Sequence, residues 1–457
     1  MAILSKPTNE VHENKMGTAP ILPLIVQMGL PAFISMLAQS LYYVVDTIYV
    51  AHLSTEALTA LSLAFPVQNL MIAAGTGVAV GVNSLISRRL GEKRQKDAES
   101  IAVHGFFIAV AFGLIFALFG FLFGKAFIAS FSQNDTVIAY GTDYIRILTI
   151  FAFVAMVQIV LEKILQATGE MVWPMICSLV GVILNILLDP LLIFGMWGFP
   201  SLETKGAAIA TVISQSTAVL LAMYAMHRNR QRITVSFVGF KWQRPIMSAI
   251  FAVGTPVMVM QSVGSLMVAG MNFLLAGFSQ LAVNVFGVYF KLQNFFFKPI
   301  MGINHGLMPV IGYNYGARNK ERLVQSIKTA TLIGVGIMCL GSLLFLVFPR
   351  QLLSLFGSDE AIFDIGISAM RILCTYFPLG AITVIVSAVF PATGHSIYSM
   401  MISIIRQLII LLPAAYLLSK ISLTAVWWSF LLSEIVASSL CLVFWLRLYR
   451  KKIANLT

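Results

Sequence analysis

The chain writes one apolar pattern twice, at a constant offset of 225 residues. Gly29-Leu30-Pro31 returns as Gly254-Thr255-Pro256, and Phe65 and Gln68-Asn69 return as Phe290 and Gln293-Asn294. Gly77, Gly81 and Gly91 return as Gly302, Gly306 and Gly316. Arg146-Ile147-Leu148 returns as Arg371-Ile372-Leu373, and Ala167-Thr168-Gly169 as Ala392-Thr393-Gly394. From 29 to 91, 14 of the 63 ungapped pairs are identical. The repeated stretches are apolar and long enough to cross a bilayer. Duplicated membrane halves place a substrate path at the interface between the repeats.

Windows of about 20 apolar residues mark membrane spans. They predict twelve: 21–51, 57–87, 100–128, 138–167, 171–198 and 206–226, then 247–277, 281–312, 325–349, 362–390, 396–418 and 422–446. Only 11% of the 457 residues are charged, against about 25% in soluble domains. The expected class is an all-α integral membrane protein with two six-helix lobes. The expected division is a tail (1–19), a first lobe (20–227), a linker (228–246), a second lobe (247–449) and a C-terminal tail (450–457). Bends are expected near Pro31, Pro66, Pro256 and Pro299, where a backbone donor is missing. Residues 1–19 hold no apolar signal-peptide core, so the first span is expected to act as its own insertion signal.

The net charge of +12 does not point to nucleic acid, because the basic residues cluster in short alternate loops. These are 88–96 (Arg88, Arg89, Lys93, Arg94, Lys96), 228–244 (Arg228, Arg230, Arg232, Lys241, Arg244), 318–328 (Arg318, Lys320, Arg322, Lys328) and the C-terminus. The opposite loops carry Asp135 and Asp143, and Asp359, Glu360 and Asp364. The positive-inside rule then puts both termini in the cytoplasm. The halves share one orientation, which makes them a parallel repeat. Cys177, Cys339, Cys374 and Cys441 lie in apolar segments without disulfide or metal spacing, and read as small hydrophobes.

A carboxylate inside a membrane span is a functional candidate by default. Asp46 lies in the first span and Asp189 in the fifth. Asn185 and Asp189 share a helix face at i,i+4, and Gln39 and Asp46 share one at i,i+7. Asp46 is either functional or a structural partner of a basic group. No Lys or Arg lies at similar depth in the first six spans, which favours function. Glu162, in the fourth span beside Lys163, is a third candidate. At +225 these acids become Met271, Ala414 and Ser387. The in-span charges of the second half read as basic: Lys291, Lys298, Arg371 and Arg406. Arg146 and Arg371 are expected to snorkel. Lys291 and Lys298 share a face and point either to the outer surface or to an interlobe cavity. His305 is a candidate proton relay or a hydrogen-bonded helix histidine. Two carboxylates in a low-dielectric pocket do not ionise together easily, so the pair can load a proton on one side and release it on the other. The same oxygens can ligate sodium. The sequence leaves both open.

Pro309-Val310-Ile311-Gly312-Tyr313-Asn314-Tyr315-Gly316-Ala317-Arg318 resembles the eighth-helix signature of the multidrug and toxic compound extrusion (MATE) family. Val45-Asp46-Thr47 and Asn185-Ile186-Leu187-Leu188-Asp189-Pro190 also match. The resemblance runs from about 21 to 449 and implies twelve helices, alternating access, and export of amphipathic, mostly cationic compounds against H+ or Na+. It sits closest to the DinF-like branch. That branch implies a first-lobe cation site of Asp46, Asn185, Asp189 and Thr211 (the Na+ ligands if sodium is used), with Gln39 lining the pocket. Asp46 and Gln39 are also the implied substrate contacts. The seventh-span acid of the NorM-like branch is absent from 258–269. Glu162 stands where an amide is expected, as an extra proton carrier or an influence on ion choice. No cofactor is expected beyond the coupling ion, and no nucleic-acid partner. The expected partners are small amphipathic cations and the lipid bilayer. The expected setting is a monomer in a bacterial inner membrane. The rival reading is a lipid-linked saccharide flippase, kept alive by Lys291, Lys298 and Arg406. An enzyme is disfavoured, since no zincin, nucleophile-elbow or phosphate-loop motif occurs.

Overall fold

The structure, a computed structural model, describes residues 14–228, 233, 235–237, 239–355 and 360–456. Residues 1–13 of the expected tail, Arg230 and Arg232 of the linker, and Asp359 lie outside the described residues. Every regular element among the described residues is a helix. A single-turn α1 (Lys15–Thr18) precedes α2 (Ile21–Leu53), α3 (Thr55–Gly91), α4 (Gln95–Ala129), α5 (Asp135–Ile150), α6 (Ala152–Ala167), α7 (Val172–Phe194) and α8 (Glu203–Arg228). The second half holds α9 (Arg244–Ala276), α10 (Gln280–Gly316), α11 (Lys320–Val347), α12 (Pro349–Ser354) and α13 (Glu360–Leu373). It continues with α14 (Phe377–Ser387), α15 (Val389–Ala392), α16 (Ser396–Ile404), α17 (Leu412–Ser419) and α18 (Leu423–Leu448).

Ten helical stretches among the described residues are long and apolar enough to cross a membrane. The α5–α6 pair, bent by 48°, makes another. The twelfth is α10, where Lys291, Asn294, Lys298, Asn304 and His305 dilute the apolar run. Leu114, Ile115, Leu118, Phe121 and Leu122 stand exposed along α4, the face a lipid-bathed helix presents. Arg146 and Arg371 are both exposed, in keeping with snorkelling.

The 225-residue repeat holds down to the backbone. α2 and α9 each have 33 residues, and α3 and α10 each have 37. Ser54 and Ser279 cap the latter pair at φ −168° and −167°, their hydroxyls accepting from the backbone N–H of Ala57 and Ala282. Such a cap satisfies a donor the helix leaves unpaired, worth about 1 kcal/mol. Lys93 and Arg318 both take positive φ, as do Gly169 and Gly394. One apolar cluster lies mainly in each half.

The repeated glycines are where the lobes meet. A Cβ added to Gly254 would stand 2.6 Å from the Gly77 carbonyl oxygen, and one on Gly81 2.4 Å from that of Ile250. The pseudo-symmetric seam has Gly306 against Met28 and Gly29, and Gly302 against Phe33. Gly91 meets Tyr313, and Gly316 meets Arg88. All these contacts lie toward the end of the bundle that carries the basic segments. The same end gathers the linker, through a bond from the Gln243 N–H to His104 Nε2 (2.9 Å), and the C-terminus, through Lys320 Nζ to the Ala454 carbonyl (3.3 Å). The lobes are thus sealed at the basic end.

Pro31, Pro66, Pro256 and Pro299 each sit inside an unbroken helix. A break of 48° falls in the first lobe at Phe151, between α5 and α6. Pro413 acts more locally. Ile405–Leu411 is wound as a π-helix just before it, where the missing proline donor and ring clash disfavour the α-helical register.

Candidate functional site

A cavity of about 280 Å³ is walled almost entirely by the first lobe. α2 supplies Gln39 and Tyr42, α6 supplies Glu162 and Lys163, α7 supplies Asn185, and α8 supplies Thr211. From the second lobe, α10 contributes His305. Gln39, Tyr42 and Asp46 recur at helical spacing on one face of α2.

Asp46 and Asp189 lie behind this wall, not in it. Asp189 is completely buried, and Asp46 is 7% exposed. Each lies within electrostatic reach of the other, because α2 packs on α7. Asn185 bridges toward α8. With its amide nitrogen turned to the carboxylate it donates to Asp189 Oδ2 at 3.0 Å, and its oxygen accepts from the Thr211 N–H at 3.2 Å. The hydroxyls of Tyr42 and Thr211 are 3.2 Å apart, and Thr211 Oγ1 donates to the Ala207 carbonyl at 3.0 Å. Among the described residues, Asp46 Oδ1 is buried with no hydrogen-bond partner. A buried carboxylate oxygen without a donor is costly. Such an oxygen can accept a proton or a cation.

Glu162 faces a different neighbourhood. Gln158 Nε2 donates to its Oε1 at 3.0 Å, and Ser178 Oγ to its Oε2 at 3.4 Å. Lys163 instead donates to Gln166 Oε1 at 2.8 Å. Glu162 therefore stands in the cavity wall, apart from the Asp46–Asp189 pair. Lys291 is exposed and Lys298 half-buried on α10. His305 lies within electrostatic reach of Lys163 and Lys298.

Two features escape the sequence reading. Tyr42 lines the cavity, faces Thr211 and lies within electrostatic reach of Asp46, although its i,i+4 relation to Asp46 was a usable signal. The second half is also not purely basic within its spans: Glu434 of α18 is 3% exposed and lies 3.3 Å from Arg406 Nη1. Its Oε1 is buried without a partner among the described residues. An acid at this position is hidden in an apolar run, and its partner lies on another helix. The repeat glutamines have a shared use that only the structure reveals. Gln68 bonds the Tyr144 hydroxyl (3.1 Å) and Gln293 that of Tyr376 (2.6 Å), so each lobe ties its second span to its fourth.

The MatE family model matches the chain twice, over residues 31–191 and 256–417. The multidrug export protein MepA of Staphylococcus aureus (strain NCTC 8325 / PS 47) is 28% identical over 426 residues, covering 93% of this chain and 92% of that protein. Its Staphylococcus haemolyticus namesake is 27% identical over 424 residues, covering 92% of each. A solved structure described as the outward-facing conformation of a multidrug resistance MATE family transporter superposes with TM-score 0.87 at 26% identity, covering 99% of this chain and 100% of that one. A MATE crystal structure in complex with MaD5 gives 0.89 at 26% identity, over 97% and 98% of the two chains. The twin match, the twelve-span repeat and the first-lobe carboxylates agree: this chain belongs to the MatE family and is a multi-pass membrane transporter.

Proposed function

We propose that the chain exports amphipathic, mostly cationic compounds in exchange for inward-flowing H+ or Na+, with Asp46 and Asp189 as the coupling pair. The observation that carries this reading is the Asp46 Oδ1 that has no partner among the described residues, buried within electrostatic reach of Asp189 and outside the cavity lining to which Tyr42 and Thr211 belong. Multidrug export enters from the names of the relatives.

The basic end is taken as cytoplasmic, in a bacterial inner membrane with both termini inside. The described form is then closed to the cytoplasm, and the lobes (20–227 and 247–449) alternate by rocking so that the glycine seam parts when the basic end opens. A cation arriving from outside is stabilised by Asp46, Asp189, Asn185 and Thr211. Because Thr211 lines the cavity and also bonds Asn185, the partner of Asp189, while Tyr42 faces Thr211, occupation of the carboxylates changes the cavity wall. Gln39 and Glu162 face the substrate, and Glu162 supplies counter-charge to its cationic group. The ion drives the cycle only if it binds the two lobe arrangements with different affinity.

The test is dye efflux from vesicles under an imposed H+ gradient, then a Na+ gradient. Wild type is expected to run on one of them, and a wild type that responds to neither removes the antiport reading.

A further inference from the structure

The seal at the basic end is built asymmetrically, and the repeat shows where. On one side the lobes touch directly. Ser84 Oγ donates to the Pro391 carbonyl at 2.5 Å, and the Arg88 guanidinium lies so close to Gly394 that a Cβ there would stand 2.6 Å from Nη1. The positions 225 residues away are Tyr313 for Arg88 and Gly169 for Gly394. There α1 stands between the two partners. The Tyr313 ring packs on Gly17, where a Cβ would be 2.9 Å from Cε1, and a Cβ on Gly169 would meet Met16 Cγ and Asn14 Oδ1 at 3.3 Å.

This wedge is bonded to both lobes. Asn14 Nδ2 donates to the Thr168 carbonyl of the first lobe at 3.1 Å. From the second lobe, Asn314 Nδ2 donates to the Met16 carbonyl at 3.0 Å. Arg322 Nη2 donates to the carbonyls of Met16 (3.3 Å) and Ala19 (2.6 Å). The Met16 side chain is fully buried in an apolar cluster with Leu24, Met28 and Ala32 of α2, Met171, and Val310 of α10. Most of that apolar contact, and the covalent link, belong to the first lobe. The second lobe holds α1 chiefly through donors to carbonyls, which water can replace.

We propose that residues 14–19 are a latch that keeps the basic end shut, and that Asn314 and Arg322 must release it each time that end opens. This rests on the alternating-access reading above. The latch uses no residue of the coupling pair, so it sets the balance between the two lobe arrangements without setting which ion is used.

The experiment is a spin-label distance measurement across the basic end. Lys96→Cys on α4 and Glu321→Cys on α11 report it, both exposed, with the exposed Cys339 changed to Ser. Arg322→Ala and, as a milder change that removes one neutral donor, Asn314→Ala are compared with the unlatched control Arg318→Ala. Removing charge-assisted hydrogen bonds from one arrangement only is expected to raise the long-distance population about tenfold for Arg322→Ala and less for Asn314→Ala. Distances that respond while wild type fails to pump dye uphold the latch and remove the proposed export of cationic compounds. Normal wild-type efflux with both variants at wild-type distances overturns the latch alone.

Discussion

Gly254→Ala is the most direct perturbation of the lobe seam. Gly254 and Gly77 approach backbone to backbone, and an added Cβ would lie 2.6 Å from the Gly77 oxygen, where 3.4 Å is ordinary contact. The obstacle is a carbonyl inside α3 and cannot rotate away as a flexible side chain would. The seam must therefore part by roughly 0.8 Å, and an overpacked contact of this kind costs about 1–3 kcal/mol. The cost falls only on the arrangement closed at the basic end, because the contact is an interlobe one. A differential of that size shifts the two populations by about 5- to 150-fold. The assay is the labelled pair described above, read alongside initial rates of dye efflux. The open-end population is expected to rise and efflux to fall. Gly336→Ala is the control, since nothing lies within 4 Å of a Cβ there. Wild-type distances and wild-type efflux in Gly254→Ala would refute the assignment of the repeat glycines to a seam that opens.

Three further outcomes follow from named contacts. Tyr42→Phe removes the hydroxyl facing Thr211, a net loss of about 1 kcal/mol. It is expected to raise ion uptake into vesicles without substrate, and a leak no larger than wild type would show that Tyr42 does not separate the cavity from the carboxylates. Glu162→Gln is expected to lower efflux of cationic dyes several-fold and to spare uncharged substrates; equal losses for both would place Glu162 outside substrate recognition. Arg406→Met strands the buried Glu434 and should lower thermal stability in detergent by about 3–5 kcal/mol, with much of the loss restored by adding Glu434→Leu. A single variant as stable as wild type contradicts a buried pair.

The elements were legible because hydropathy and repetition agree. Twelve spans follow from apolar windows, and the offset that pairs Gly77 with Gly302 also pairs Ser54 with Ser279 as caps. The members of the first-lobe site were legible one by one, since an acid in a span is conspicuous. Their arrangement was not. Helical spacing put Asn185 with Asp189 and Gln39 with Asp46, but which helices touch depends on packing between segments far apart in sequence. Tyr42 went unnoticed because an aromatic in an apolar helix carries no signal of its own. Glu434 went unnoticed because the pairing with Arg406 joins two helices 28 residues apart. The Phe151 break has no proline or glycine to announce it. α1 was read as tail because its four residues carry no periodicity, and its partners lie at 168, 314 and 322.

The central claim is that Asp46 and Asp189 couple an inward ion to outward substrate. The measurement is dye efflux from vesicles carrying wild type, Asp46→Asn or Asp189→Asn, under an H+ gradient and then a Na+ gradient, with dye binding measured in parallel. Wild type driven by one gradient, with both variants binding dye but unable to move it uphill, is the predicted result. Uphill efflux at wild-type rate in both variants would make the pair structural and contradict the account.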